Sequence, residues 1–178
     1  RALRGLLGLS KQDIVAGGRY HNFSDLLGVP LKGYQTLRDR PLVPIPDVAT
    51  RNGTATFQAL KRKDVLWHFP YHDFGNVVRW LQQASRDPHV RHIAITLYRV
   101  ASGSEVCKAL LDALSRGKRV TVFVEVQARF DERSNLYWGD TLEKAGARVL
   151  YSYENLKVHC KLCLVERRED GRTVRYAY

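Results

Sequence analysis

The chain has 178 residues, 44% of them apolar, with 29 Lys and Arg against 18 Asp and Glu, a formal charge of +11. That length and apolar content suit one domain with a real core, or one domain with a piece of another. No apolar run reaches the roughly eighteen residues of a membrane span, and the stretch RALRGLLGLS is too short an apolar run for a signal peptide. The positive balance favours polyanionic partners, whether nucleic acid, anionic lipid or phosphate polymer, without choosing among them.

Residues 1–45 carry mostly turn signals: Gly17-Gly18, Gly28-Val29-Pro30, Gly33, and prolines at 41, 44 and 46. They read as the tail of a preceding domain and a linker, with a second domain over residues 46–178. The chain opens without Met, which is expected of an excerpt. Asp73 is placed to cap a helix carrying Val77, Val78, Trp80, Leu81 and Ala84 on one face. His92–Tyr98 reads as a strand. Ser104 caps a second predicted helix with Val106, Ala109, Leu110, Ala113 and Leu114 inward, and Gly117 suits its C-terminal cap. Arg119–Val126 is a nearly continuous β-branched run, the pattern of a strand covered on both faces. A third helix is predicted from Arg133 to Ala145, ended by Gly146, and then a strand at Arg148–Tyr151. Asn155–Glu166, NLKVHCKLCLVE, reads as a further strand. Asp170-Gly171 between strand patterns predicts a hairpin into Thr173–Tyr178.

Alternating strands and helices give an α/β fold, a mixed sheet flanked by helices. The sequence stops inside a strand pattern at Tyr178, so further sheet is expected beyond it. The lone Cys160-x-x-Cys163 pair has no second pair to complete a zinc site. Cys107, Cys160 and Cys163 are expected to be buried, reduced thiols, which fits a cytoplasmic setting.

Ligands of α/β sheets gather beyond the carboxyl ends of strands. Arg99 and Arg129 each follow such an end, and a guanidinium there can grip phosphate bidentately. In a strand over 155–166, Lys157, His159 and Lys161 project from one side and Val158, Cys160, Leu162 and Leu164 from the other. Cations beside an imidazole favour its neutral form, whose nitrogen lone pair is a nucleophile. The face therefore reads as a nucleophile in a cationic cradle.

His159-x-Lys161, then four residues and an acid, is the pattern of the phospholipase D superfamily, with Glu166 where that superfamily has Asp. The segments AGGRYHNFSDL (16–26), VLWHFPYHDF (65–74), ITLYRVA (95–101), VEVQARFDE (124–132), LKVHCKL (156–162) and VRYAY (174–178) together resemble the polyphosphate kinase family, whose catalytic half is phospholipase D-like. The resemblance implies that residues 1–45 end the family's head domain and that 46–178 form an incomplete first catalytic domain. It implies that His159 is the phosphorylated histidine and that Lys161 contacts phosphate. It places Arg99 and Arg129 at a site of Mg²⁺ and phosphate, where they line the site through phosphate, since a guanidinium has no lone pair for a metal. It gives Glu166 no role. The implied reaction is reversible transfer of the ATP γ-phosphoryl group to inorganic polyphosphate, with ATP, ADP and polyphosphate as partners and no nucleic acid. A second histidine would lie beyond Tyr178, so the excerpt is expected to be inactive alone. The resemblance further implies a homo-oligomer for the full-length enzyme, in the cytoplasm and open to peripheral membrane association. Two other readings stand beside it: a phospholipase D-type phosphodiesterase or nuclease pairing two motifs across a dimer, and a non-catalytic polyanion-binding module. The second calls for aromatics interleaved with basic residues on an exposed face, whereas most aromatics here fall in predicted core elements.

Overall fold

The computed structural model describes residues 2–15, 17, 28, 32–46, 56–128, 132–153 and 156–178. The chain divides into two compact units, Arg1–Pro41 and Leu42–Tyr178. The first contains a short helix α1 (Ala2–Leu6) and a 3-10 turn at Gln35–Leu37. Leu3, Leu6 and Leu7 of this unit are exposed. The matched segment 16–26 lies, but for Gly17, outside the described residues.

The second unit runs α2 (Thr56–Arg62), α3 (Gly75–Arg86), β1 (Val90–Leu97), α4 (Glu105–Ser115), β2 (Arg119–Val124), α5 (Glu132–Lys144), β3 (Arg148–Tyr151), β4 (Cys163–Glu169) and β5 (Arg172–Ala177). Among the described residues the strands form one five-stranded sheet in the order β3-β2-β1-β4-β5. β1 pairs with β2 and β2 with β3 in parallel, while β4 runs antiparallel to both β1 and β5. The sheet is therefore mixed, as the strand–helix alternation followed by a hairpin predicts. No described helix is long and apolar enough to cross a membrane.

Local chemistry explains the element ends. Phe74 takes the N-cap position of α3, yet Asp73 still accepts the Gly75 amide at 2.8 Å. Ser104 Oγ accepts the Cys107 amide at 3.2 Å and caps α4. Gly117 then takes a φ of +73°, and its amide and that of Lys118 bond back to Leu114 and Ala113 to close the helix. At the hairpin tip Asp170 and Gly171 have φ of 46° and 77°. Positive φ at both central residues is the type I′ signature, which suits the twist of the flanking strands.

Register assigns the two faces of the sheet. Ile93, Val120, Val165 and Tyr176 are cross-strand partners, and all are buried with Val122, Val124 and Cys163 against the helical residues Val77, Trp80, Leu81, Leu110, Trp138 and Leu142. The opposite face carries His92, Thr121, Phe123, Leu164 and Glu166, which are only half-buried. The expectation that β2 is covered on both faces is thus corrected: its β-branched alternates Val120, Val122 and Val124 fill the core, while Arg119, Thr121 and Phe123 do not.

A second correction concerns NLKVHCKLCLVE. The ladder begins only at Cys163, and residues 156–162 precede it. Cys163 and Val165 are the buried pair of β4, so the apolar parity assigned to Cys160, Leu162 and Leu164 does not hold. Cys160 and Leu162 are exposed. Cys107 and Cys163 are buried as expected, and burial pushes their thiols up to about 11 and about 12.

Candidate active site

Topology brings the sequence-predicted residues together. β1 and β2 run parallel and finish at the same edge, and β4 starts there because it is antiparallel to β1. Ile95 pairs with Cys163, so the residues ahead of Cys163 pass alongside the end of β1. Thr96 fixes that approach. Its amide donates to Leu162 O at 2.9 Å, and its Oγ1 accepts the Leu162 amide at 2.8 Å and lies 2.9 Å from Cys160 O. The segment is thus tied to a side chain as well as to backbone, which explains how it runs extended without a full ladder.

His159 and Lys161 are exposed at this edge, as is Arg99, two residues past the end of β1. Arg99, His159 and Lys161 line one cavity of about 670 Å³, with Tyr98, Ser104, Glu105 and Tyr178 also in its wall. The rest of the wall is largely apolar, from Val77, Val78, Leu81 and Leu97 among others. The Tyr98 ring meets the His159 ring edge-on at 4.5 Å between centroids. Lys161 Nζ stands 4.0 Å from the Tyr98 centroid and donates to His159 O at 2.6 Å. The imidazole is therefore packed edge-on against an aromatic ring, and the Lys161 ammonium lies over that same ring. Arg129 lies outside the described residues.

Glu166, the acid of the His-x-Lys pattern, is occupied elsewhere. It sits on the half-buried face of β4 and takes Arg175 at 3.0 Å, His92 at 3.4 Å and Arg119 at 3.6 Å. The hydrogen bond from Arg175 is the main cause that holds its carboxyl below the usual range, and His92 adds to it. It does not line the cavity.

The described residues of this edge do not by themselves make a divalent-cation site. Among the described residues no three His, Cys, Asp or Glu side chains are grouped to hold a metal ion, and the cavity wall contains Glu105 as its one acid. Glu105 is exposed and paired with Lys108 at 2.6 Å.

Two buried polar side chains that bond to the backbone of the site segments have no assigned role in the sequence reading. Glu125 is 1% exposed and Asn135 0% exposed. For Glu125 the signal was a carboxylate set between valines in a β-branched run, since such a charge is retained only where partners await it. Asn135, an amide early in a helix, gave no signal of its own.

The family model described as polyphosphate kinase C-terminal domain 1 matches residues 55–178. The chain is 45% identical over 180 aligned positions to the polyphosphate kinase of Yersinia pestis, and 44% identical over 182 to that of Escherichia coli K12. Each alignment covers 99% of this chain and 26% of the relative. The crystal structure of polyphosphate kinase from Porphyromonas gingivalis superposes with a TM-score of 0.63 at 38% identity, over 87% of this chain and 26% of that one. The chain thus spans about a quarter of the length of these relatives.

Proposed function

The chain belongs to the polyphosphate kinase family, and from that premise we propose that it carries the nucleophile-bearing part of an ATP–polyphosphate phosphotransferase. The observation that carries this reading is the convergence of Arg99, His159 and Lys161 on one cavity at the carboxyl edge of the parallel strands. Phosphate recognition needs cations, and a phosphoryl carrier needs an accessible nitrogen. This edge offers both. The names of the relatives favour this reading over a phosphodiesterase or a non-catalytic basic module.

In the first step a ring nitrogen of His159 forms a bond to the γ-phosphorus of ATP while the bond to the bridging oxygen breaks, and its electron pair leaves with ADP. In the second step a terminal oxygen of polyphosphate forms a bond to that phosphorus while the N–P bond to His159 breaks, and its electron pair returns to the imidazole ring. Little covalent chemistry is asked of the protein, so positioning and charge stabilisation dominate. Arg99 and Arg129 clamp phosphate oxygens, and Lys161 swings from His159 O to the transferred group. Mg²⁺ belongs to the nucleotide's phosphates in this reading, since the described side chains do not form a cage for it.

The test is incubation of the native enzyme with γ-labelled ATP. Acid-labile, base-stable label should appear on His159 and vanish with polymer synthesis in His159→Ala. Label that persists in that variant would overturn the assignment.

A further inference from the structure

Glu125 and Asn135 are buried polar side chains whose hydrogen bonds run to the segments that carry the proposed site. Glu125 follows the last residue of β2. Its Oε2 accepts the amide of Val158, the residue before His159, at 2.7 Å. Its Oε1 accepts the Gln127 amide at 2.8 Å and the Ser152 hydroxyl at 3.2 Å. Burial works against its charge, but these three donors, with the ammonium of Lys157, outweigh it and hold the carboxyl below its ordinary value.

Asn135 lies in α5 and spans the backbone on both sides of Arg99. Its Nδ2 donates to Tyr98 O at 2.7 Å, and its Oδ1 accepts the Val100 amide at 3.1 Å. The same Nδ2 donates to Glu125 O at 2.8 Å. Ser134 Oγ donates to Val100 O at 2.6 Å and Trp138 Nε1 to Ala101 O at 3.0 Å, so three side chains of α5 grip the turn that presents Arg99. The bonds are continuous: the Arg99 turn to Asn135, Asn135 to the Glu125 backbone, and the Glu125 carboxylate to Val158 beside His159.

Core stability alone does not call for this arrangement. A buried carboxylate is costly, and an apolar residue of similar size would serve packing as well or better. What a fully satisfied polar pair supplies is a fixed geometry. We propose that Glu125 and Asn135 are positioning residues that hold the His159 segment and the Arg99 turn at a set separation for phosphoryl transfer. This rests on the reading of His159 as the nucleophile. Neither residue touches substrate. Glu125 sets where the His159 backbone stands, and Asn135 sets where the Arg99 backbone stands.

The experiment is single-turnover labelling of the native enzyme by γ-labelled ATP, read as the maximal rate and the ATP concentration at half-maximal rate. Glu125→Gln keeps the volume but turns an NH2 toward the Val158 amide or toward the Gln127 amide. Asn135→Asp keeps the acceptor for the Val100 amide and loses both donated bonds. Each is expected to lower the maximal rate per folded molecule by roughly ten- to a hundredfold, since an ångström of misplacement can cost about that much. The half-maximal ATP concentration should change by less than about threefold, because misalignment at the reacting atoms acts after binding. A lowered melting temperature with a wild-type maximal rate per folded molecule would overturn the proposal. Should either variant fail to fold, Ser152→Ala removes only one of the hydrogen bonds to Glu125. It should then slow labelling by about two- to fivefold, and a wild-type rate there would overturn the proposal equally. Absence of label from His159 in the wild-type enzyme is a different result, which sinks the nucleophile assignment instead.

Discussion

The ring of Tyr98 stands edge-on to that of His159, with 4.5 Å between centroids and an interplanar angle of 79°. Tyr98 is the first residue after β1, and His159 lies four residues before β4, so the pair fastens two strand ends across the mouth of the cavity. The same tyrosine faces the ammonium of Lys161 at 4.0 Å, a cation–π distance. An aromatic pair of this kind contributes about 0.5–1.5 kcal/mol beyond area burial. Tyr98→Leu is therefore expected to slow labelling of His159 by about two- to tenfold, while Tyr98→Phe, which keeps the ring, stays within about twofold of wild type. Equal losses in both variants would shift the role from the ring to the hydroxyl.

Arg99→Lys keeps the charge but loses the two-pronged donor geometry. Arg99 is exposed, so folding should be untouched. If the guanidinium grips phosphate bidentately, kcat/KM for ATP falls roughly ten- to a thousandfold, or about 1.4–4 kcal/mol of barrier. Arg129→Lys is expected to behave alike. Near-native kinetics in both variants would leave the arginines as ordinary surface residues.

Much of this fold was legible because local rules and tertiary needs agree. Ser104 and Gly117 bracket α4 as a cap and a stop, and the Asp170-Gly171 pair turns with the two positive φ values that its sequence invites. The site was less legible. Reading Lys157, His159 and Lys161 as one face of a strand assumes a ladder, but the groups of that segment go to Thr96 Oγ1 and to Glu125 instead. Side-chain partners leave no periodicity in a sequence, which is also why Asn135 gave no signal. The convergence of Arg99 on His159 was inferred from resemblance, and its physical origin is the antiparallel entry of β4 beside β1. Cys160 is exposed for the same reason: alternation buries a residue only inside a paired strand.

Acid stability is expected to depend on Glu169. Its carboxylate is buried, which disfavours charge, but Lys61 at 2.6 Å, the Tyr176 hydroxyl at 2.6 Å and Arg167 at 2.7 Å outweigh this and hold it down at about 2. A depressed carboxyl contributes stability above its unfolded value, near 4.5, and that contribution is lost as pH falls toward 2. The loss should be on the order of 2–3 kcal/mol. Denaturant unfolding between pH 5 and pH 2 would read it as a steeper decline in wild type than in Glu169→Gln. Parallel declines would show that the ion pairs around Glu169 do not discriminate its protonation state.

Polyphosphate bears about one negative charge per phosphate, and the chain offers a formal +11, with exposed Arg99 and Lys161 lining the cavity and Lys157 exposed two residues before His159. Cations that neutralise a polyanion release its condensed counterions, so log affinity falls linearly with log salt. Binding of a long polyphosphate to the native enzyme is therefore expected to weaken by on the order of ten- to a thousandfold between about 50 and 200 mM salt. Each phosphate-contacting cation adds about one to the slope, so Lys157→Ala should flatten it by up to about one and weaken binding at low salt most. His159→Ala removes neither a lysine nor an arginine and should leave the slope unchanged. A titration at several salt concentrations measures all three slopes. An affinity indifferent to salt would mean that the polymer is held by a shaped pocket of neutral donors, and the basic edge would then have no part in its capture.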